Sequence, residues 1–127
     1  MRIIGVLITH GNLARAMIET TQKFADAEKD MYVFSNQKED LAAIANEVIC
    51  LCDSCPESAL FVFTDLVGGS CWQTAFRIKK ERQEVKIIGG VNLPMLISFA
   101  INRNNMNAEQ LLHKILEDGQ KAIRVIE

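Results

Sequence analysis

The sequence has no excess of positive charge and no long hydrophobic run. Its 127 residues include 14 Lys and Arg against 16 Asp and Glu, a formal net charge of −2. A nucleic-acid-binding surface or a polybasic membrane anchor needs clustered basic residues, so the composition predicts neither partner. A membrane-spanning helix needs roughly 18 consecutive apolar residues. No run here approaches that length, and we predict no insertion into a membrane.

The chain also lacks the marks of a secreted protein. The apolar residues 3–8 are too few for the core of a signal peptide, and no small-residue cleavage site follows them. Three of the four cysteines lie within six residues, a spacing unlike the disulfide framework of a secreted domain. We therefore predict a cytoplasmic protein with reduced thiols.

Short apolar runs alternate with amphipathic segments along the chain. Runs that are typical of strands buried on both faces of a parallel sheet occur at residues 3–8, 31–34, 60–63 and 85–88. Helical spacing of apolar residues occurs at 13–24, 41–52, 70 to about 82, 95 to about 103, and after 107. This alternation predicts one α/β domain over residues 1–127. Its sheet is doubly wound and mainly parallel, with helices on both faces.

Local patterns predict where some of these elements begin and end. Asn36 with Glu39 has the spacing of a capping box before the second helix. Asn107 with Gln110 has the same pattern before the fifth helix, and Gly119 is placed to end it. Residues 122–126 have the composition of one last short strand.

The thiols do not form a recognisable zinc motif. Cys50, Cys52 and Cys55 are close in sequence, but structural zinc normally takes four ligands, and Cys71 lies in a different helix. We predict that the thiols act as small apolar side chains, with no metal site and no cofactor. His113 lies between Glu109 and Glu117 on the fifth helix, where we expect a solvated surface position.

Two common phosphate-binding motifs are missing. Neither G-x-x-x-x-G-K-[ST] nor G-x-G-x-x-G occurs, so nucleoside triphosphates and dinucleotides lack their usual loop. A receiver domain also has an aspartate after its third strand, as Asp65 stands here. It needs an acidic pair after the first strand to hold Mg²⁺, where this chain has Thr9-His10-Gly11.

The strand ends instead predict a histidine site. Ligands of open α/β sheets bind beyond the carboxyl ends of the strands where strand order reverses, which for order 2-1-3-4 is between strands 1 and 3. His10 follows strand 1 and Asp65 follows strand 3. A carboxylate that accepts a hydrogen bond from Nδ1–H fixes the tautomer of the ring and leaves Nε2 free as a base, metal ligand or nucleophile.

A glycine-rich turn next to Asp65 adds an anion site. Gly68 and Gly69 permit an inward-facing backbone, and a helix is predicted to begin at Ser70. The free N–H groups of a helix N-terminus bind anions, and the Ser70 hydroxyl can add a hydrogen bond. A nucleophilic imidazole beside an anion site indicates phosphoryl chemistry on histidine.

These residues resemble a known family. Residues 8–11 (Ile-Thr-His-Gly), 63–70 (Phe-Thr-Asp-Leu-Val-Gly-Gly-Ser) and 89–96 (Gly-Gly-Val-Asn-Leu-Pro-Met-Leu) are similar to the enzyme IIA domain of the mannose-type (mannose/fructose/sorbose) sugar phosphotransferase system. The resemblance covers essentially the whole chain. It implies a homodimer that exchanges a C-terminal strand, which would be residues 122–126.

The resemblance also implies roles and partners. His10 would accept a phosphoryl group on Nε2 from the histidine-containing phosphocarrier protein and pass it to a IIB component for sugar uptake. Asp65 would orient His10, and Gly68, Gly69 and Ser70 would hold the phosphoryl oxygens. Further loop residues at the same edge would support them: Thr9, Thr64 and Asn92.

The sequence departs from the family after the glycines. The family often reads Pro-Phe-Asn after Gly-Gly-Ser, and this chain reads Cys71-Trp72-Gln73. We expect phosphorylation to survive this change and partner recognition to differ. Two alternatives share the histidine chemistry. One is a regulatory IIA module that signals phosphorylation state without a permease, and the other is a dihydroxyacetone-kinase phosphocarrier.

Overall fold

Four parallel strands form the sheet that the apolar runs predict. The structure, a computed structural model, describes residues 2–127. Along the chain the strands are β1 (Arg2–Thr9), β2 (Met31–Ser35), β3 (Ser58–Thr64) and β4 (Lys86–Ile88). Every pairing is parallel, and the spatial order is β2-β1-β3-β4. The predicted doubly wound α/β fold is confirmed.

In the part of the chain that the structure describes, five helices cover the two faces of this sheet. They are α1 (Leu13–Thr21), α2 (Leu41–Ser54), α3 (Gly69–Glu81), α4 (Leu93–Asn102) and α5 (Ala108–Lys121). Alternate residues of β1 enter two separate cores, because successive side chains of a strand point to opposite faces. Leu7 packs with α1, α4 and α5, whereas Val6 packs with α2 and α3. Within residues 2–127, every helix is too short or too polar to cross a membrane.

Three phenylalanines attach α4 to the sheet. Phe61 and Phe63 lie on the same face of β3, and both rings meet the edge of Phe99 with centroids 5.3 and 5.2 Å away. All three side chains are fully buried. Edge-to-face contact of this kind adds roughly 0.5–1.5 kcal/mol to the stabilisation that comes from burial. The cluster therefore fixes α4, whose N-terminus lies beyond the end of β4.

The capping box predicted for α2 is wrong. The helix begins at Leu41 after Asp40, four residues beyond Asn36, and no side-chain cap is formed there by the described residues. Residues 36–39 instead turn back on β2, because the N–H groups of Lys38 and Glu39 both donate to the Ser35 carbonyl. Asn36 is engaged elsewhere, at the end of β1. The capping box of Asn107 and Gln110 is confirmed.

Two predictions at the end of the chain are also wrong for the single chain. Helix α5 continues through Gly119 to Lys121, and glycine suits position 119 because a Cβ there would lie 3.0 Å from Met95 Cε of α4. Residues 122–126 form no strand within the described chain. A strand needs a neighbour to hydrogen-bond with, and Ile123, Val125 and Ile126 are at least 78% exposed. Their exchange with a second copy stays a prediction.

Truncation of Phe99 tests the aromatic cluster. We expect Phe99→Ala to lower the free energy of unfolding by about 3–5 kcal/mol, because it leaves a cavity against Phe61 and Phe63. Phe24 is the matched control. Its spacing predicts a place in α1, but the helix ends at Thr21 and Phe24 is 63% exposed. Phe24→Ala should change stability by roughly 0.5 kcal/mol or less in urea unfolding. Equal losses in both variants would contradict this account of the core.

Candidate functional site

The parallel pairing of β1 with β3 brings His10 and Asp65 together. Ile8 lies opposite Thr64 in the register, so the residues that follow each strand leave the sheet side by side. His10 Nδ1 is 2.8 Å from Asp65 Oδ2. The sequence prediction of this pairing is therefore correct in its geometry.

The Asp65 carboxylate accepts hydrogen bonds on both oxygens. Oδ2 also accepts from the backbone N–H of His10 at 3.0 Å, and Oδ1 accepts from the N–H of Leu66 at 3.0 Å. Burial acts to raise the pKa of Asp65, but the hydrogen bonds from His10 outweigh it and hold that pKa below its usual range. An ionised carboxylate only accepts, so His10 Nδ1 is the donor to it, and in a neutral ring the lone pair is then on Nε2.

Buried hydroxyls and one amide hold the two loops. Thr9 Oγ1 accepts from the N–H of Ala14 at 2.8 Å, which ties the start of α1 to the end of β1. Thr64 Oγ1 donates to the Leu66 carbonyl at 2.9 Å. Asn36 is a residue that the sequence reasoning missed. Its side-chain Oδ1 accepts from the N–H of Gly11 at 3.2 Å, and its backbone N–H donates to the Thr9 carbonyl at 3.2 Å.

The glycine turn leaves the N-terminus of α3 open. Gly68 and Gly69 have φ values of 85° and 82°, in the left-handed region that favours glycine. Gly68 is the N-cap and has no side chain with which to cap the helix. The first N–H groups of an α-helix have no partner within the helix, so those of α3 are available to an anion. Ser70 is the second residue of α3.

Cys71 is a second residue at this site that the sequence reasoning left aside. Its side chain is buried, with 1% exposure, and its Sγ lies 3.8 Å from His10 Nδ1. Burial, followed by the negative charge of Asp65, raises the pKa of the thiol, so the protonated form dominates near neutral pH. The signal in the sequence was its position immediately after Ser70, in the first turn of α3.

Most of the chain matches one family model. Residues 5–116 match the model described as the fructose IIA component of the phosphotransferase system, named EIIA-man. The chain belongs to this family. The resemblance drawn from the three strand-end motifs is confirmed.

Relatives of this IIA protein agree on the system and differ in the named sugar. The sorbose-specific EIIA component of Lacticaseibacillus casei is 21% identical over 88% of this chain and 82% of its own length. The mannose-specific EIIAB component of Escherichia coli K12 is 25% identical over 99% of this chain, which spans only 40% of that longer relative. A solved mannose/sorbose specific IIA subunit from Enterococcus faecalis shares the fold. Its TM-score is 0.79 at 22% identity, over 100% of this chain and 96% of that one.

Two other candidate residues of this IIA protein, Asn92 and His113, contact groups other than His10. Asn92 caps α4 by accepting from the N–H of Met95 at 3.0 Å, and it donates to the Gly119 carbonyl at 3.0 Å. It therefore joins α4 to α5 at the same end of the sheet. His113 is 85% exposed and lies 3.9 Å from Glu117, which confirms its surface position.

Asp65→Asn tests whether the ionised carboxylate stabilises the site. Since the pKa of Asp65 is lowered on folding, its stabilisation is full above the ordinary aspartate pKa and is lost as the pH falls through the folded value. We expect the variant to be less stable than wild type by about 1 kcal/mol or more at pH 7. The gap should narrow below about pH 4. Urea unfolding at several pH values measures it.

The exposed Glu57 supplies the control, because Glu57→Gln removes a carboxylate that lies outside this site. Its stability should follow that of wild type across the same pH range. A gap for Asp65→Asn that stays constant with pH would contradict a role for the ionised form.

Proposed function

We propose that the protein is a phosphocarrier that accepts a phosphoryl group on His10 Nε2 from the histidine-containing phosphocarrier protein. It then passes the group to a IIB component for sugar uptake. The observation that carries this proposal is the 2.8 Å bond between His10 Nδ1 and Asp65, which directs the lone pair to Nε2. The His10 side chain is 42% exposed, so another protein can reach that nitrogen.

The transfer step balances without a further reactant. The Nε2 lone pair attacks phosphorus, the donor's P–N bond breaks, and the donor imidazole leaves with that electron pair. Positive charge then grows on the His10 ring, and the Asp65 carboxylate lies where it stabilises that charge. Phosphoryl transfer depends mainly on positioning and charge stabilisation, for which these groups are suited.

The open N-terminus of α3 supports the second half of the proposal. We assign to Gly68, Gly69 and Ser70 the binding of the phosphoryl oxygens, through backbone N–H groups and the Ser70 hydroxyl. Only glycine adopts the positive φ of this turn without strain, which explains both glycines. Thr9, Thr64 and Asn36 support the reaction indirectly, because they hold the loops that carry His10 and Asp65.

Apolar side chains near His10 offer a surface to partner proteins. Leu66 and Val67 are exposed immediately after Asp65, whereas Met95 belongs to the core. A groove along α3 runs from Ser70 to Arg77 and Lys80. Both partners must bring their own histidine to His10, so we propose that they dock here in turn. We propose that this docking takes place in the cytoplasm. We also propose that residues 1–127 act as one IIA domain.

The family match favours a sugar system over the dihydroxyacetone-kinase phosphocarrier. A regulatory role uses the same chemistry on His10. Transfer to a IIB component separates the two, since a module that only signals has no such acceptor.

Phosphorylation by purified partners tests the proposal. The protein is incubated with phosphoenolpyruvate, enzyme I and the histidine-containing phosphocarrier protein, and its intact mass is measured. We expect one acid-labile phosphoryl group per chain, because His10 alone combines a free Nε2 with an orienting carboxylate. His10→Ala should abolish the gain.

His113→Ala is the matched control, because it removes an exposed imidazole on α5 whose neighbouring carboxylate is Glu117. It should be phosphorylated like wild type. In the same assay Asp65→Asn should keep the acceptor and slow transfer by on the order of 10²–10⁴-fold, as for loss of a tautomer-fixing carboxylate. A phosphoryl group that survives His10→Ala would refute the assignment.

We also propose that the protein is a homodimer in which residues 122–126 pair with a second copy. Ile123, Val125 and Ile126 are an apolar segment in solvent, and β2 and β4 are open edges of the sheet. An exposed apolar strand former and an open edge satisfy each other's hydrogen bonds across two chains.

Removal of residues 122–127 tests this pairing. We expect wild type to sediment as a dimer and the truncated chain as a folded monomer, with unchanged helical circular dichroism. The pair Ile123→Ser and Val125→Ser should weaken the dimer in the same direction. A truncated chain that remains a dimer would exclude strand exchange.

A further inference from the structure

Three different metal-ligating groups converge beside Nδ1 of His10. One ligand atom each from His10, Asp65 and Cys71 lie within 4.8 Å of one another. They come from three separate places in the fold: the loop after β1, the loop after β3 and the first turn of α3. Cys71 and Asp65 are 61 and 55 positions from His10 along the chain, and the fold brings the three residues together.

Two of the three separations between these atoms can be compared with those of a tetrahedral zinc site. Bonds of 2.0–2.1 Å to nitrogen and oxygen and 2.3 Å to sulfur place neighbouring ligands roughly 3.3–3.6 Å apart. The separation of Cys71 Sγ from His10 Nδ1 is 3.8 Å, and that of Nδ1 from Asp65 Oδ2 is 2.8 Å. A cation between them therefore requires Nδ1 and Oδ2 to move apart by roughly half an ångström, and Cys71 Sγ, which lies within 4.8 Å of the Asp65 oxygen, to adjust to both.

We propose that His10 Nδ1, Asp65 Oδ2 and Cys71 Sγ bind a divalent cation of the Zn²⁺ type, with the fourth position open. The donor set of one sulfur, one imidazole nitrogen and one carboxylate oxygen suits Zn²⁺ and does not suit Mg²⁺, which takes oxygen ligands. The buried side of the site holds Cys71 and Asp65, and the exposed side of His10 is the way in.

Binding rearranges two protons and leaves the charges balanced. The Cys71 thiol loses its proton to solvent and becomes the thiolate ligand. The ring proton of His10 leaves Nδ1, where the cation binds, and Nε2 takes up a proton from solvent. The imidazole stays neutral overall. The cation carries two positive charges, and the Cys71 thiolate and the Asp65 carboxylate supply two negative charges.

This tautomer has a consequence for His10. With a cation on Nδ1 and a proton on Nε2, the ring has no lone pair to attack phosphorus. Cation binding and phosphoryl acceptance are therefore mutually exclusive. This consequence rests on the proposed function, whereas the binding site itself does not. The sulfur ligand of the site comes from Cys71, the residue that follows Ser70.

Zn²⁺ titration of a variant with one remaining cysteine tests the site. In a Cys50→Ser, Cys52→Ser, Cys55→Ser background, Cys71 is the only thiol left. Competition with a chromophoric chelator should show one Zn²⁺ per chain. Adding Cys71→Ser or His10→Ala should weaken binding by at least about tenfold, since each removes a ligand. His113→Ala in the same background is the matched control and should bind like the parent.

Co²⁺ gives a readout that depends on the sulfur. The parent with one cysteine should show the thiolate-to-Co²⁺ charge-transfer absorption, and Cys71→Ser should lose it. His10 is half-exposed, so His10→Ala remains informative if Cys71→Ser does not fold. Absence of Zn²⁺ binding by the parent, or equal binding by the parent and His10→Ala, would overturn the site.

Phosphorylation in the presence of Zn²⁺ tests the consequence separately. The donor proteins are first shown to react normally at the chosen Zn²⁺ concentration with a second IIA protein that has proline after Gly-Gly-Ser. We expect Zn²⁺ to block phosphorylation of the parent, and Cys71→Ser to react in the presence of Zn²⁺ at the rate that it has without Zn²⁺. An unblocked parent with Zn²⁺ bound would overturn the exclusion. A parent that is not phosphorylated even without Zn²⁺ would refute the proposed function and leave the titration valid.

Discussion

The register between β1 and β3 is the constraint on which the site depends. His10 and Asp65, which follow β1 and β3, are 55 positions apart along the chain, and the parallel pairing of the two strands places both at the same edge of the sheet. The Asp65 carboxylate links the loops after the two strands, because it accepts hydrogen bonds from both the backbone N–H and the ring Nδ1 of His10. A slip of one residue would turn every side chain of the strand to the opposite face and separate the pair.

The rest of the fold holds this edge in place. The aromatic cluster fixes α4, and through Asn92 the start of α4 is tied to α5. On the other side of β1, Asn36 links the end of β2 to the loop of His10. The loops at this edge are thus connected to the sheet by hydrogen bonds from buried or half-buried groups. Such bonds are strong in a low-dielectric interior and restrict the loops to one arrangement.

Where the sequence reasoning failed, long-range contacts outweighed a local pattern. Asn36 and Glu39 have the spacing of a capping box. The N–H of Glu39 instead donates to the Ser35 carbonyl, and the Asn36 side chain accepts from the N–H of Gly11. Gly119 has the composition of a helix end, but it is the contact point of α4 on α5. The partners of Asn36 and Gly119, which are Gly11 and Met95, are distant in the chain, so no pattern within a helix turn reveals these two contacts.

The sequence by itself determined the alternation of strands and helices, because apolar spacing and the rule for parallel crossovers suffice for it. For a strand order of 2-1-3-4 the sequence also predicted the meeting of His10 with Asp65, and the structure has that order. Only the tertiary structure decided that Cys71 lies beside Nδ1 and that Asn36 serves the loop of His10. The physical reason is that a distance of a few ångströms between side chains depends on how helices pack. Packing is set by many contacts at once and not by any one segment.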